Sequence, residues 1–373
     1  MKLVLSVEAL SPNPTGIGRY TWELAQRLPS HPKLADVRFY RHGRWVSNPH
    51  GLLDASAALT KNTHYTRIRL PRRVRDWGMA VACRGSVFHG PNFFLPACVD
   101  KGVITVHDLS VFKFPETHPA DRIKQFERDF SRSVAQAAHV ITDSQTTRTE
   151  VMDFTGLPAS RVTAVPLGVS AAFKPLAGHE MVLPLQKYGL NPRAYALCVT
   201  TLEPRKKVGE LLAAWSMLPH DLRKSYPLIL VGTNGWLSQA LQEEISQAQA
   251  QGWVKRLGYV PEHDLPLLYA GAALFVYPTT YEGFGLPPIE AMACGVPVVV
   301  SDQSCLPEIT QGAALMVNPD DMEAFCHAIE KGLTDVPWRH MAIANGLGVA
   351  ASYTWQRCVD ETVAVYRMVA TGN

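Results

Sequence analysis

No stretch of this sequence reaches the roughly 18 consecutive apolar residues that a helix needs to cross a bilayer, so membrane association is expected only at the surface. The apolar start KLVLSVEAL is broken by Glu8 and lacks a signal-peptide cleavage pattern; it reads as a first strand. Seven cysteines stand singly, with no C-x-x-C and no Cys/His ligand spacing. That argues against a disulfide framework and a structural zinc, and makes a reducing cytoplasm the expected compartment. Phosphate loops of the G-x-x-x-x-G-K-[ST] type, an intact G-x-G-x-x-G, a G-x-S-x-G elbow and H-E-x-x-H are all missing. So is an Asp-x-Asp pair to hold a divalent ion on a diphosphate. If a diphosphate binds here, side chains and backbone must neutralise it. Nucleic acid is not expected, because no basic helix with interleaved aromatics occurs.

What is present fits two α/β domains, since 373 residues exceed one ordinary doubly wound domain. A 47% hydrophobic and 18% charged composition is that of a globular chain rather than a disordered one. The net charge of +3 conceals an asymmetry. Residues 1–175 hold 23 Lys and Arg against 14 Asp and Glu, and residues 176–373 hold 13 against 19. Much of the excess lies in Arg38, Arg41 and Arg44, and in Arg67, Arg69, Arg72, Arg73 and Arg75 beside Trp77. Such clusters suit anionic lipid headgroups or a phosphate-bearing acceptor, and equally a solvated surface.

Along the chain, strand and helix patterns alternate. Strands are expected at residues 2–7, 37–40, 65–70, 87–89, 102–106, 140–142 and 162–166, with helices from Thr21 to Leu28, over 120–138, and from Asp143 or Ser144 to about Gly156. Residues 91–98 read as a loop and 167–175 as a linker. The second half restarts at 194–199, continues with strands at 227–231, 254–257, 272–277, 296–301 and 314–317, and ends in a helix over 356–368. The alternation predicts two Rossmann-like domains facing across a cleft. Ligands in such sheets bind beyond the C-terminal strand ends, which is where Gly16 and Gly18, the pair His107 and Asp108, and the loop LEPRKK fall. Three adjacent cations, Arg205, Lys206 and Lys207, at a helix start oppose its dipole unless something negative sits there.

The stretch YPTTYEGFGLPPIEAMACGVPVVV, residues 277–300, carries the most chemistry. Pro287 and Pro288 suit a first helical turn, and Gly295 and Pro297 stop the helix. Gly283 and Gly285 permit close approach of a ligand to a helix N-terminus, an anion site. Two carboxylates, Glu282 and Glu290, are separated by seven residues. Glu282 is repelled by a bound diphosphate and suits the hydroxyl-bearing part of a ligand; Glu290 suits a ribose diol. Together with Arg205 and Lys206, that describes a nucleotide-sugar site.

These residues resemble the metal-independent retaining glycosyltransferases of family 4, built on the two-domain GT-B fold. The resemblance rests on YEGFGLPPIEAMACGVPVVVSDQSCLPEI, LEPRKK, VPLGVSAAFKP, ITVHDL, PTGIGRY and YTWQRCVDET, six motifs in order over nearly the whole chain. It implies an N-terminal acceptor domain over 1–172, a nucleotide-sugar domain over 173–355, and a helix over 356–373 returning to the first. By position it gives Glu282 and His107 to the reacting sugar, and Arg205, Lys206, Gly16, Gly18, Phe284, Gly285 and Leu286 to the diphosphate. Gly283, Glu290 and Asp108 go to sugar and ribose, and Arg256, Gly258, Tyr259 and Val260 to the base. No metal or other cofactor is implied. Lys207 departs from the Asn that many members carry, and Thr200 from an additional Arg, which leaves the division of labour between Arg205 and Lys206 open.

In combining HDL with LEPRK the sequence resembles bacterial transferases of O-antigen and other cell-surface polysaccharides, notably mannosyltransferases. The resemblance implies GDP-mannose as donor, an acceptor glycan on undecaprenyl diphosphate, and a cytoplasmic enzyme peripheral on the inner face of the plasma membrane through its basic half. Retention is implied either by attack on the face the diphosphate leaves or by a covalent route through Glu282. A UDP- or dTDP-sugar donor, glycogen-synthase-like transfer, a nucleotide-sugar 2-epimerase and a non-catalytic nucleotide-sugar-binding subunit are the alternatives. The presence of both glutamates and both cations argues against the last.

Overall fold

The computed structural model describes residues 1–12, 16–54, 72–99, 101–235 and 239–372, with backbone only for 72–76. The strand expected at 65–70 and the side chains of Arg67, Arg69, Arg72, Arg73 and Arg75 therefore lie outside the described residues. The chain divides into two units. Unit 1 comprises Met1–Leu109, Asp121–Leu167 and Trp355–Asn373; unit 2 comprises Ser110–Ala120 and Gly168–Thr354.

Unit 1 is built on seven strands, β1 (Lys2–Ser6), β2 (Asp36–Arg41), β3 (Arg44–Val46), β4 (Ser86–Gly90), β5 (Gly102–Val106), β6 (Ala137–Thr142) and β7 (Val162–Ala164), in the order β3-β2-β1-β4-β5-β6-β7. All neighbours are parallel except β2 and β3, an antiparallel hairpin that the strand pattern did not signal. Its turn, His42-Gly43, has φ of 45° and 82°, positive at both central residues as a tight hairpin requires. The core strands β4 and β5 are buried at every residue, as expected of a parallel sheet covered on both faces. The helix expected from Thr21 begins earlier and spans Gly16–Arg27, so Gly16 and Gly18 occupy its first turn rather than a loop. Ser144 caps the helix Gln145–Thr155 by accepting from Thr147 N at 3.1 Å, and Gly156 closes it at φ 72°.

The last helix, Trp355–Thr371, packs within unit 1, burying Trp355, Val359, Val363 and Tyr366. A buried polar chain ties it to the sheet. The Tyr366 hydroxyl meets His89 Nδ1 at 2.6 Å, His89 Nε2 meets Thr105 Oγ1 at 2.8 Å, and Thr105 Oγ1 meets the Tyr20 hydroxyl at 3.0 Å. Burial, aided by nearby His107, pushes the His89 imidazole down to about 3, so it is neutral.

Unit 2 has six strands, all parallel: β8 (Ala196–Val199), β9 (Leu228–Val231), β10 (Val254–Gly258), β11 (Leu274–Tyr277), β12 (Val298–Ser301) and β13 (Leu315–Val317), ordered β10-β9-β8-β11-β12-β13. Its core gathers on Trp215, fully buried with Leu211, Leu230, Leu274, Phe325 and Ile329. In both sheets the strand order reverses direction beside the unit's first strand, between β1 and β4 and between β8 and β11. A crevice opens at such a switch point, because the connections on either side lead to opposite faces. Helices Gly178–Gln186 and Val336–Ser352 are not among those expected from the sequence, yet both form; Asp335 caps the second by accepting from Trp338 N at 2.9 Å, with Pro337 in its first turn. Among the described residues no helix is long and apolar enough to cross a membrane.

Candidate active site

At the switch point of unit 2, the loop after β8 supplies the cations and the loop after β11 the carboxylate. Pro204–Lys206 form one tight turn, and Lys207 then takes φ 52° to start the helix Val208–Met217. That left-handed conformation is one Asn tolerates better than Lys, which gives the common Asn at this position a physical reason. The cations do not confront the helix dipole unaided. Lys207 Nζ is paired with Glu210 at 2.9 Å and Asp320 at 2.7 Å, and Arg205 Nη2 with Glu203 at 2.7 Å. Arg205 Nη1 donates to the Tyr281 carbonyl, and its own carbonyl accepts from Thr280 N at 3.0 Å, so the two loops are clasped together.

Lys206 Nζ is bonded directly to Glu282 Oε1. The same oxygen accepts from the Tyr277 hydroxyl at 2.7 Å, and Arg205 Nη1 stands 3.9 Å from Oε2. Side-chain exposures of 9% for Lys206 and 13% for Glu282 leave the pair nearly dry. Burial pushes the Glu282 carboxyl up, but Lys206 and Arg205 outweigh burial and hold it below its ordinary value. Glu282 is thus an anion with a cation at each carboxylate oxygen.

The backbone of that loop is fixed from a third direction. The Ser304 hydroxyl donates to the Glu282 carbonyl at 2.7 Å, and the Cys305 thiol lies 3.2 Å from the carbonyls of both Glu282 and Phe284. Gly285 caps the helix Leu286–Ala293 at φ 93°, where a side chain would be strained and its Cβ would meet Leu306 Cδ2. Because Pro287 and Pro288 carry no N–H, Leu286 alone among the first three helical residues has one to offer. Glu290, one turn in, is buried at 3% exposure. Phe284 is buried edge-on against Tyr353, ring centres 5.4 Å apart. At the end of β10, Arg256 Nη2 contacts Asn234 Oδ1 at 2.5 Å, Gly258 has φ 70° and accepts from Gly232 N, Tyr259 is 53% exposed and Val260 is buried.

In unit 1 the sequence-predicted His107 follows β5. Its Nδ1 faces Asp143 Oδ2 at 2.7 Å and its Nε2 faces the Pro91 carbonyl at 2.8 Å. With Asp143 as a carboxylate, two acceptors on two ring nitrogens are satisfied together by an imidazolium, which donates at both, although burial also pushes the Asp143 carboxyl up. Burial lowers the imidazole, but Asp143 and the Pro91 carbonyl prevail and hold it above its ordinary value. Tyr20, on the helix that begins at Gly16, packs edge-on at 5.1 Å. Asp108 is the next residue; its carboxylate adds to the field that raises His107.

Tyr277, Glu203, Ser304, Cys305 and Asp143 were not singled out as site residues in the sequence. Asp143 read as a possible helix cap, a role Ser144 takes, and Tyr277 as a strand residue. Only the fold brings Tyr277, Glu203, Ser304 and Cys305 against Arg205 and Glu282 in unit 2 and, separately, Asp143 against His107 in unit 1. Among the described residues no group of three or more His, Cys, Asp or Glu is arranged to hold a metal ion.

Comparison with known proteins is decisive at the level of family. The family model for glycosyl transferases group 1 matches residues 185–348, and that for Glycosyltransferase Family 4 matches residues 14–173. O-antigen chain mannosyltransferase B of Escherichia coli is 36% identical over 99% of this chain and 100% of that protein. The chain belongs to glycosyltransferase family 4. The Escherichia coli serotype-specific mannosyltransferase WbdA is 31% identical over 72% of this transferase, which spans 34% of that longer protein. Among solved structures, Anabaena HepE in complex with UDP superposes with a TM-score of 0.73 at 17% identity, covering 98% of both chains. WaaG, a glycosyltransferase involved in lipopolysaccharide biosynthesis, gives 0.71 at 15% identity over 98% of this chain and 99% of that one. These two likenesses carry the fold, and the fold of this transferase is GT-B.

Proposed function

We propose that this transferase moves a mannosyl group from GDP-mannose to a saccharide hydroxyl of a lipid-diphosphate-linked glycan, with retention and without a metal. The donor and the setting are supported by the full-length likeness to an O-antigen chain mannosyltransferase. The chemistry is supported above all by one observation, the dry Lys206–Glu282–Tyr277 cluster at the switch point of unit 2. Without donor, Lys206 and Glu282 neutralise each other. A donor diphosphate competes for Lys206 and Arg205, and Glu282 turns to the sugar hydroxyls. Gly283 to Leu286 then offer backbone to sugar and phosphate, Glu290 the ribose contact, and Arg256 to Val260 a wall for the base.

As the C1–O bond to the diphosphate breaks, negative charge grows on the leaving oxygens, where preorganised cations stabilise the transition state most. The acceptor hydroxyl forms the new C1–O bond on the face being vacated; GDP keeps the bonding pair and takes the hydroxyl proton. His107, doubly engaged, acts through charge and by fixing the loop at Pro91 rather than as a base.

The test is release of GDP from GDP-mannose in EDTA, for wild type and Glu282→Ala, beside UDP- and dTDP-sugars. GDP-mannose is expected to give the largest thermal shift, and Glu282→Ala to lower release about 100-fold or more. Undiminished release in the variant would refute the assignment of Glu282. A thermal shift with no nucleotide-sugar would sink the donor reading altogether.

A further inference from the structure

We infer that Ser304 is a positioning residue for Glu282, its hydroxyl setting the backbone from which the Glu282 carboxylate is aimed. That Glu282 serves the transfer rests on the transferase reading above; that Ser304 sets its position does not.

Ser304 stands in the loop that follows β12, and it stands there under strain. Its φ is 59°, in the left-handed region that residues other than Gly, Asn and Asp rarely enter, and such residues gather at functional sites whose surroundings hold them. A glycine would adopt this conformation without strain. What the serine adds is a hydroxyl, and that hydroxyl grips one residue at both of its main-chain groups. The Glu282 N–H donates to Ser304 Oγ at 3.2 Å, and the Ser304 hydroxyl donates to the Glu282 carbonyl at 2.7 Å. One oxygen meets both groups only while they face the same way, as they do in a β-ladder, where a neighbouring strand would supply two atoms for what Ser304 does with one. The directions of the N–H and C=O define that of the Cα–Cβ bond, so the grip fixes where the Glu282 side chain sets out.

The grip falls where the chain has most freedom. Gly283 follows Glu282 directly, and Gly285 takes φ 93°. On the near side, Thr280 N is tied to the Arg205 carbonyl at 3.0 Å; on the far side, Leu306, two residues beyond Ser304, lies where a Cβ at Gly285 would meet it. Cys305 supports the same stretch. Burial and the nearby Glu282 push its thiol up, so it stays protonated, 3.2 Å from the carbonyls of Glu282 and Phe284. At the other end of the side chain the carboxylate must reach Lys206, the Tyr277 hydroxyl and Arg205 together. A tilt of the backbone would carry the carboxylate out of that arrangement, and displacement of a reacting group by about 1 Å costs about 100-fold in rate.

Two variants separate position from stability. Ser304→Gly removes the hydroxyl and the strain together; Ser304→Ala removes the hydroxyl and keeps the strain, so it should melt below Ser304→Gly. Activity should ignore that order. Both variants are expected to lower kcat for GDP release from GDP-mannose about 10- to 100-fold, with GDP affinity within about threefold of wild type. Independently of turnover, the Glu282 carboxyl is expected to titrate higher in both variants than in wild type, because a misaimed carboxylate leaves Lys206. NMR of protein carrying glutamate labelled at the carboxyl carbon reads this, with the Glu282 signal identified by its loss in Glu282→Gln. Activity that follows the melting order, lost in Ser304→Ala and kept in Ser304→Gly, would make the role of Ser304 structural only, and an unaltered Glu282 titration in both variants would overturn the inference. If wild type turns over no nucleotide-sugar while the titration moves as expected, the positioning role stands and the transferase reading falls; turnover of GDP-mannose that neither variant affects does the reverse.

Discussion

Lys206 and Glu282 hold each other where little water remains, and that makes each a liability without the other. Removing one member of a buried ion pair strands a charge, at about 3–5 kcal/mol. Lys206→Ala is therefore expected to destabilise the protein in urea by about 3 kcal/mol, and Lys206→Ala with Glu282→Gln to recover part of that loss. Strict additivity of the two changes would show that the pair is not coupled. The sign of its pH dependence follows from the lowered Glu282 carboxyl. Its contribution is present above the ordinary carboxyl value and is lost as pH falls through the depressed one. The same residues illustrate what a sequence can reveal at this scale. Glu282, Gly285 and the proline pair are legible because turn chemistry and capping leave local marks. The Tyr277 hydroxyl and the Ser304 and Cys305 contacts are not, because each depends on which loops the sheet brings together.

Among the elements, the helix Trp355–Thr371 governs unit 1 through Tyr366 and His89. Tyr366→Phe leaves His89 Nδ1 without its buried partner, at about 1–3 kcal/mol. His89 also sets an acid limit. An unfolded chain binds a proton there below its ordinary value, whereas the folded chain resists until about 3. Stability should thus fall as pH drops from the ordinary histidine range towards 3, by up to about 1.4 kcal/mol per pH unit. Denaturation midpoints of His89→Gln should lose that slope; an unchanged slope would place the acid limit elsewhere. His107 acts in the opposite sense, its contribution being complete below the ordinary value and lost as pH rises through the raised one. Strands and most helices were legible from periodicity, because parallel strands are continuous apolar runs. The hairpin at His42-Gly43 was not, since β3 has only three residues, Arg44–Val46, too few for an alternating pattern to show. Nor was the conformation of residues 91–98, which read only as a loop, whereas Phe93 takes φ 64°.

For the whole molecule, the excess of cations in residues 1–175 predicts attraction to anionic vesicles. Replacing Arg72, Arg73 and Arg75 together by Glu should reduce co-sedimentation with phosphatidylglycerol vesicles at low salt, and equal sedimentation of wild type and variant would remove membrane docking from the proposal. The doubly wound architecture itself was legible from strand–helix alternation alone. The assignment of Ser110–Ala120 to unit 2 was not, because nothing local marks those residues as leaving the fold around them: the contact of Phe114 with Tyr281, ring centres 5.3 Å apart, is tertiary.

One further consequence follows from the place of the last helix. Unit 1 is assembled from both extremities of the sequence, and Tyr366 closes a polar chain begun at Tyr20. During synthesis the sheet of unit 1 lacks one cover until residues 355–371 have left the ribosome. Residues 168–354, made in between, are free to fold first. The order of folding would then invert the order of translation, with Glu282 of unit 2 in place before His107 acquires its finished surroundings.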